Sequence, residues 1–118
     1  SQNAIGKWDM VIIKYSPVVS SIQQVSNEVP GSFELFQNYP NPFNSATTVK
    51  YNIPKQGNVQ IQISDVLGRK VETIVNDFHT PGEYKIIFDA GKLSSGIYFY
   101  NLLHNGISED IKKLVLIK

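Results

Sequence analysis

The sequence predicts an all-β domain, an antiparallel β-sandwich of about seven short strands with the size and spacing of an immunoglobulin-like fold. Three observations carry that expectation. Apolar residues alternate with polar ones in several runs of five to eight residues, the period of a half-buried strand. Turn residues such as Asp65, Gly68, Pro81, Gly82, Asn105 and Gly106 separate those runs. Between Phe33 and Lys118 no apolar stripe at helical spacing competes with them.

Taken in order, Met10–Tyr15 is β-branched and stops at Ser16-Pro17, which reads as a strand set apart from the rest of the chain. Residues 18–32 turn polar and read as a linker ending at the Pro30-Gly31 turn signal; Val18, Ile22, Val25 and Val29 fall near helical spacing, but Ser and Asn are poor interior helix residues. Phe33–Gln37 reads as a first strand of the sandwich. The segment Gln37–Asn44 then places two prolines among aromatic and Asn residues. Pro40 and Pro42 each fix φ and remove a donor, and they push Tyr39 and Asn41 toward extended geometry. The piece is therefore stiff, extended or turning, with Tyr39 and Phe43 as apolar anchors for burial against a sheet, each contributing ~1.5–3 kcal/mol.

Val49, Tyr51 and Ile53 form one face of the next strand, closed by Pro54. Val59, Ile61 and Ile63 face the core in the clearest alternating run, with Gln60, Gln62 and Ser64 opposite. Asp65 through Gly68 is a turn, because Asp bonds the backbone ahead of it and Gly accepts positive φ. Lys70–Val75 returns as its hairpin partner. Tyr84, Ile86 and Phe88 line one face of the strand after Thr80-Pro81-Gly82. Ile97–Leu103 is apolar on both faces, the mark of a central strand. Asn105-Gly106 is a hairpin signal. The final run, Ile111 to Lys118, is apolar without a clear parity and needs to be paired and covered, since a bare edge of this kind invites aggregation.

The catalytic inventory is thin. The two histidines, His79 and His104, sit beside turns without a second ligand at useful spacing and read as surface or turn residues. Asp65-x-x-Gly68 lacks the alternating acidic residues of a calcium loop. No nucleophile elbow and no phosphate loop occurs, so no enzyme, metal or cofactor is expected. Tyr98 and Tyr100 share a face of the central strand, which favours core packing over a carbohydrate platform. Tyr98, two residues after Gly96, is placed for a tyrosine-corner bond to backbone.

Composition narrows the classes further. The chain has 118 residues, 42% of them apolar, which suits one globular domain. A net charge of +1 gives no electrostatic case for nucleic acid. No apolar run is long enough for a membrane-spanning helix. There is no cysteine, so the fold relies on its core alone. The first residues show no signal-peptide pattern, and the start at Ser1 is that of a processed or excised fragment with any export signal upstream.

The motifs now converge. Phe33-x-Leu35-x-Gln37-Asn38-Tyr39-Pro40-Asn41-Pro42-Phe43-Asn44 resembles the opening of the C-terminal sorting domains of the type IX (Por) secretion system. Thr48-Val49-x-Tyr51, the Val59–Val71 hairpin with Asp65, Gly68 and Arg69, then Gly82, Phe88-Asp89-Ala90, Leu93-Ser94-Ser95-Gly96-Ile97-Tyr98 and the tail Lys113–Lys118 come in that family's order. The chain departs from the pattern at Ser45, where a proline is frequent, and at Ser64 and Phe88, where an aromatic and a tryptophan are frequent. Asp9–Ser16 resembles, more faintly, the end of a repeat in secreted β-propellers.

The resemblance implies an immunoglobulin-like sandwich over residues 33–118, preceded by a linker at 18–32 and by the last strand of an upstream domain at 1–17. It implies a non-catalytic address read by the outer-membrane type IX machinery of a Gram-negative bacterium. The cargo would reach the cell surface or the medium by way of the periplasm, with removal by a sortase-like peptidase in many members. Lys112, Lys113 and Lys118 are the recognition candidates, against the alternative of ordinary solvated strand-end lysines. Asn38, Tyr39, Pro40, Asn41, Pro42, Phe43, Asn44, Asp65, Gly68, Gly96 and Tyr98 are the structural motif. A dimer through the terminal strand is a further expectation. An adhesive or carbohydrate-binding module and a passive spacer are the competing readings.

Overall fold

A computed structural model describes residues 22–118; the readings placed on residues 1–21 lie outside the described residues. Eight strands succeed one another: β1 (Gln23–Ser26), β2 (Glu34–Leu35), β3 (Ala46–Ile53), β4 (Gly57–Asp65), β5 (Lys70–His79), β6 (Gly82–Asp89), β7 (Gly96–His104) and β8 (Ile107–Leu116). They form two four-stranded antiparallel sheets, β1-β6-β3-β2 and β5-β4-β7-β8, and no helix occurs among the described residues. This is the expected all-β, immunoglobulin-like sandwich.

Alternation produces the core. Val49, Tyr51 and Ile53 from β3 and Tyr84, Ile86 and Phe88 from β6 face Val59, Ile61 and Ile63 from β4 and Tyr98, Tyr100 and Leu102 from β7. All are buried, and strands in register keep the whole apolar set on one side. β7 lies between β4 and β8, the central place expected from its two apolar faces. The Asn105-Gly106 turn has φ of 51° and 84°, the left-handed pair a tight hairpin requires.

Several elements differ in extent from the expectation. Gln23–Ser26, within the stretch read as a linker, pairs with β6 as an edge strand. Its alternation is weak because an edge strand at the sandwich margin buries little on either side, which hides it from periodicity. Gly82 admits the close approach: a Cβ there would lie 2.7 Å from the Ser26 carbonyl oxygen. The strand read over Phe33–Gln37 is confined to Glu34–Leu35, with one further bond from Phe36 N–H to the Lys50 carbonyl at 3.0 Å. β5 continues past Val75 to His79, pairing with Gly57 at its end.

That extension corrects the reading of His79. The alternation beginning at Val75 carries its ring to the inner face, where it is 4% exposed rather than at the surface. The Tyr51 hydroxyl donates to Nε2 at 2.8 Å, and Nδ1 faces the Asp77 carbonyl at 3.2 Å, which fixes the neutral tautomer with the proton on Nδ1. Its ring also packs on Tyr84 with centroids 4.4 Å apart.

Candidate functional site: the proline segment and the terminal strand

The segment from Gln37 to Asn44 runs from one sheet to the other and closes one margin of the sandwich. Its first half belongs to the first sheet: Tyr39 exchanges backbone bonds with Thr48, at 3.0 and 2.9 Å. Its second half belongs to the second sheet: Phe43 forms a parallel bridge to Leu116. Both Tyr39-Pro40 and Asn41-Pro42 are cis.

Asn38 is the hub of the crossing, at 2% exposure. Its backbone N–H donates to the Tyr100 hydroxyl at 2.9 Å, and that hydroxyl donates in turn to the Phe36 carbonyl at 2.7 Å. Its amide nitrogen donates to the Pro40 carbonyl at 3.1 Å and to the Thr47 hydroxyl at 3.0 Å, while its amide oxygen accepts from Gln37 Nε2 at 2.7 Å. A buried amide carries two donors and an acceptor, and here all three are used. Burial pushes the Tyr100 hydroxyl up to about 12, with the Asn38 bond opposing and the Asp110 charge adding, so it remains a neutral donor.

The same segment takes up the outward backbone groups of β8. Gln37 Nε2 donates to the Lys113 carbonyl at 2.7 Å. Val115 N–H donates to Asn41 Oδ1 at 2.9 Å, and the Val115 carbonyl accepts from Phe43 N–H at 3.0 Å. Ile117 N–H donates to the Phe43 carbonyl at 2.9 Å. Further along, Asp110 Oδ2 accepts from Leu35 N–H at 2.9 Å. The edge of the terminal strand is therefore covered, as the apolar run at 114–117 requires.

The two aromatic anchors of the segment part company. Phe43 is buried at 2% exposure, 6.3 Å from Phe88 ring to ring. Tyr39 corrects the expectation of burial: it is 80% exposed. Its antiparallel bridge puts its side chain on the same face as Thr48, which is the outer face of the first sheet.

Asp65 and Gly68 organise the β4–β5 turn. Asp65 Oδ1 accepts from Leu67 and Arg69 N–H at 2.9 and 3.0 Å, and Oδ2 pairs with Arg69 Nε at 2.9 Å. Partial desolvation pushes this carboxyl up, but the bonds from Arg69 and Leu67 outweigh it and hold it below its ordinary value. Gly68 has a φ of 85°. Past Gly96, the Tyr98 hydroxyl donates to the Ser94 carbonyl at 2.7 Å, the corner bond anticipated for it. Both Tyr98 and Tyr100 are buried, which leaves no ring platform on that face.

The three lysines are not one patch. Lys112 stands opposite Tyr100 and is half-buried on the inward side of β8. Lys113 stands opposite Phe99 on the other face. Lys118 Nζ donates to the Gly91 carbonyl at 2.6 Å, and its backbone N–H to Ser95 Oγ at 3.0 Å. Within the apolar run of the terminal strand, Leu114 and Leu116 are buried, whereas Val115 faces outward and is half-buried. Asn38, Gln37 and Asn41 gained no individual role from periodicity; the signal for them was their place among prolines, where the Gln37 amide donates to the backbone of β8 and the Asn41 amide oxygen accepts from it.

The fold is thus an antiparallel sandwich whose proline-rich segment covers the outer edge of β8. The sequence model of the family described as secretion system C-terminal sorting domain matches residues 37–118, and the chain belongs to that family. It carries a C-terminal sorting signal for type IX secretion, which directs export across the outer membrane to the cell surface or the medium. No curated protein and no solved structure matches the chain. Among the described residues, no helix is long and apolar enough to cross a membrane, and no group of three or more His, Cys, Asp or Glu side chains is placed to hold a metal.

Proposed function

We propose that the secretion machinery reads this domain as a folded surface around its terminal strand, with Lys112, Lys113 and Lys118 as recognition residues and no catalytic step. The observation that carries the reading is the covered edge of β8. Gln37, Asn41 and Phe43 already occupy the outward backbone groups from Lys113 to Ile117, so a partner meets side chains instead of an open strand. Lysines on such a surface act as point charges that steer docking.

The periplasm is the compartment in which the folded domain awaits export. A sortase-like peptidase removes it by cutting ahead of the sandwich, before the edge strand β1 that begins at Gln23. The β-branched run of sequence at residues 10–15 is the proposed pairing segment of a dimer, which sedimentation at several concentrations tests.

The test keeps the fold and changes the charge. A fusion of a periplasmic reporter to the 118-residue chain with Lys112, Lys113 and Lys118 all changed to Gln is expected to unfold at the wild-type temperature and to remain in the cell. Normal export of that folded variant would dismiss the lysines as recognition residues.

A further inference from the structure

The β4–β5 turn exposes two aliphatic side chains that it does not need. Val66 and Leu67 fill its central positions, where Pro, Asn, Asp, Ser and Gly are favoured, and they stand 64% and 75% exposed. Asp65 closes the turn through backbone N–H groups alone: its carboxylate accepts from Leu67 and Arg69, and its carbonyl from Gly68. The two aliphatic residues line a cleft of about 310 Å³ together with Ile97, at the start of β7, which is 43% exposed. Arg69 lines it too. Its Nε is taken by Asp65, while its terminal nitrogens have no partner among the described residues.

The sheet beside this cleft is apolar and cationic. Lys70, Ser64, Phe99 and Lys113 stand in one row across the outer face of the second sheet, with Ile97 and Val115 in the row on the cleft side. The two rows on the other side, from Thr73 to Ile111 and from Asn76 to Ser108, hold no charged residue. The acidic residues of these strands lie elsewhere. Glu72 and Asp77 stand opposite the fully buried Ile63 and Val59, so their side chains leave on the inner side of the edge strand. Asp110 stands opposite Leu102, also inward, and accepts from Leu35 N–H. Glu109 sits in the β8 bulge, four residues along the strand from Lys113. At the cleft, the Asp65 carboxylate takes three hydrogen bonds and its side chain is 17% exposed, against 74% for Arg69, so a visitor meets the guanidinium. Neither Lys70 nor Lys113 has an ion pair among the described residues.

We propose that this face, with Leu67, Ile97 and Phe99 as its apolar part and Arg69, Lys70 and Lys113 as its charges, docks an acidic, partly aliphatic protein surface of the secretion machinery. Charge complementarity selects the occupant, because the charges presented beside the cleft are all positive. A carboxylate suits the two open nitrogens of Arg69, and aliphatic side chains cover Leu67 and Ile97. A second copy of this chain, laid face to face, would set Lys70 and Lys113 against their own kind. The inference rests on the sorting function and deepens it. Of the three tail lysines it engages Lys113, and it adds the β4–β5 turn and the row that begins at Lys70.

The test uses the 118-residue chain fused to a periplasmic reporter, in wild-type form and as Leu67→Ser, Lys70→Glu and Lys70→Arg. Both positions are exposed, so the purified variants are expected to keep the wild-type unfolding midpoint. Leu67→Ser and Lys70→Glu are each expected to lower the extracellular reporter about tenfold, the effect of losing one anchor. Lys70→Arg keeps the charge and is expected to export as the wild type does. Lys70→Glu carries the test if Leu67→Ser proves less stable: its export at the wild-type level would then overturn the proposal. Wild-type fusion exported and every variant exported equally well would overturn this surface alone. A loss in Lys70→Arg as large as in Lys70→Glu would show that charge is not what is read, and would remove the acidic partner. Wild-type fusion retained even in a secretion-competent strain would overturn the sorting reading and this surface with it. Binding to phosphatidylglycerol vesicles that Leu67→Ser and Lys70→Glu both lose would assign the face to a membrane and overturn the protein partner.

Discussion

At the residue scale, the side chains that matter most are polar groups at buried crossings. Asn38 lets the chain leave one sheet for the other without stranding a donor, since its backbone N–H and its amide nitrogen all find acceptors. His79 is the complementary case, a titratable ring sealed between Tyr51 and Tyr84. Burial holds its pKa below 6.5, against the raising effect of Asp77. The unfolded chain therefore binds a proton that the folded one resists, so stability is full above pH 6.5 and falls as pH drops from 6.5 toward the lowered folded value. Protonation also turns Nε2 into a donor facing the Tyr51 hydroxyl proton. Urea midpoints measured down through this window are expected to decline, and the decline to vanish in His79→Gln. The sequence did not reveal this ring because the strand was read as ending at Val75, four residues before it.

At the element scale, the proline segment works as a clip on β8. Its grip is the parallel bridge at Phe43 together with the burial of that ring. Phe43→Ala leaves a cavity against Phe88 and is expected to cost about 3–5 kcal/mol, with the loss read by denaturant unfolding. A cost under about 1 kcal/mol, the level of a surface substitution, would show that the clip adds little. The strands themselves were legible where one face is buried and the other wet, as in β3, β4 and β6, because the period of two is then written in residue type. They were not legible where burial is slight. β1 carries mostly exposed residues, and its place is set by pairing with β6, which no local pattern encodes. Tyr39 failed for a related reason. Its residue type says burial, but its face is decided by the register with Thr48, a contact nine residues away in sequence.

At the scale of the whole molecule, the two ends of the sorting unit fasten one another. The opening segment crosses between sheets, and the last strand is completed by that crossing, so the terminal strand is held in place only within the folded domain. The family was legible from the ordered motifs, since the proline-asparagine piece is specific and the later landmarks fall in sequence. The recognition surface was less so. The lysines were picked from a linear tail, whereas β-strand alternation sends Lys112 and Lys113 to opposite faces and Lys118 to the Gly91 carbonyl.

The central claim, that this chain is a sufficient sorting address for type IX secretion, is tested most directly by export of a reporter carrying the 118 residues at its C-terminus. The fusion, supplied with a periplasmic signal peptide, would be tracked in a bacterium that has this system and in its secretion-deficient mutant. Reporter outside the first strain and retained in the second is the predicted result. A folded fusion retained in both strains, or released equally by both, would contradict it.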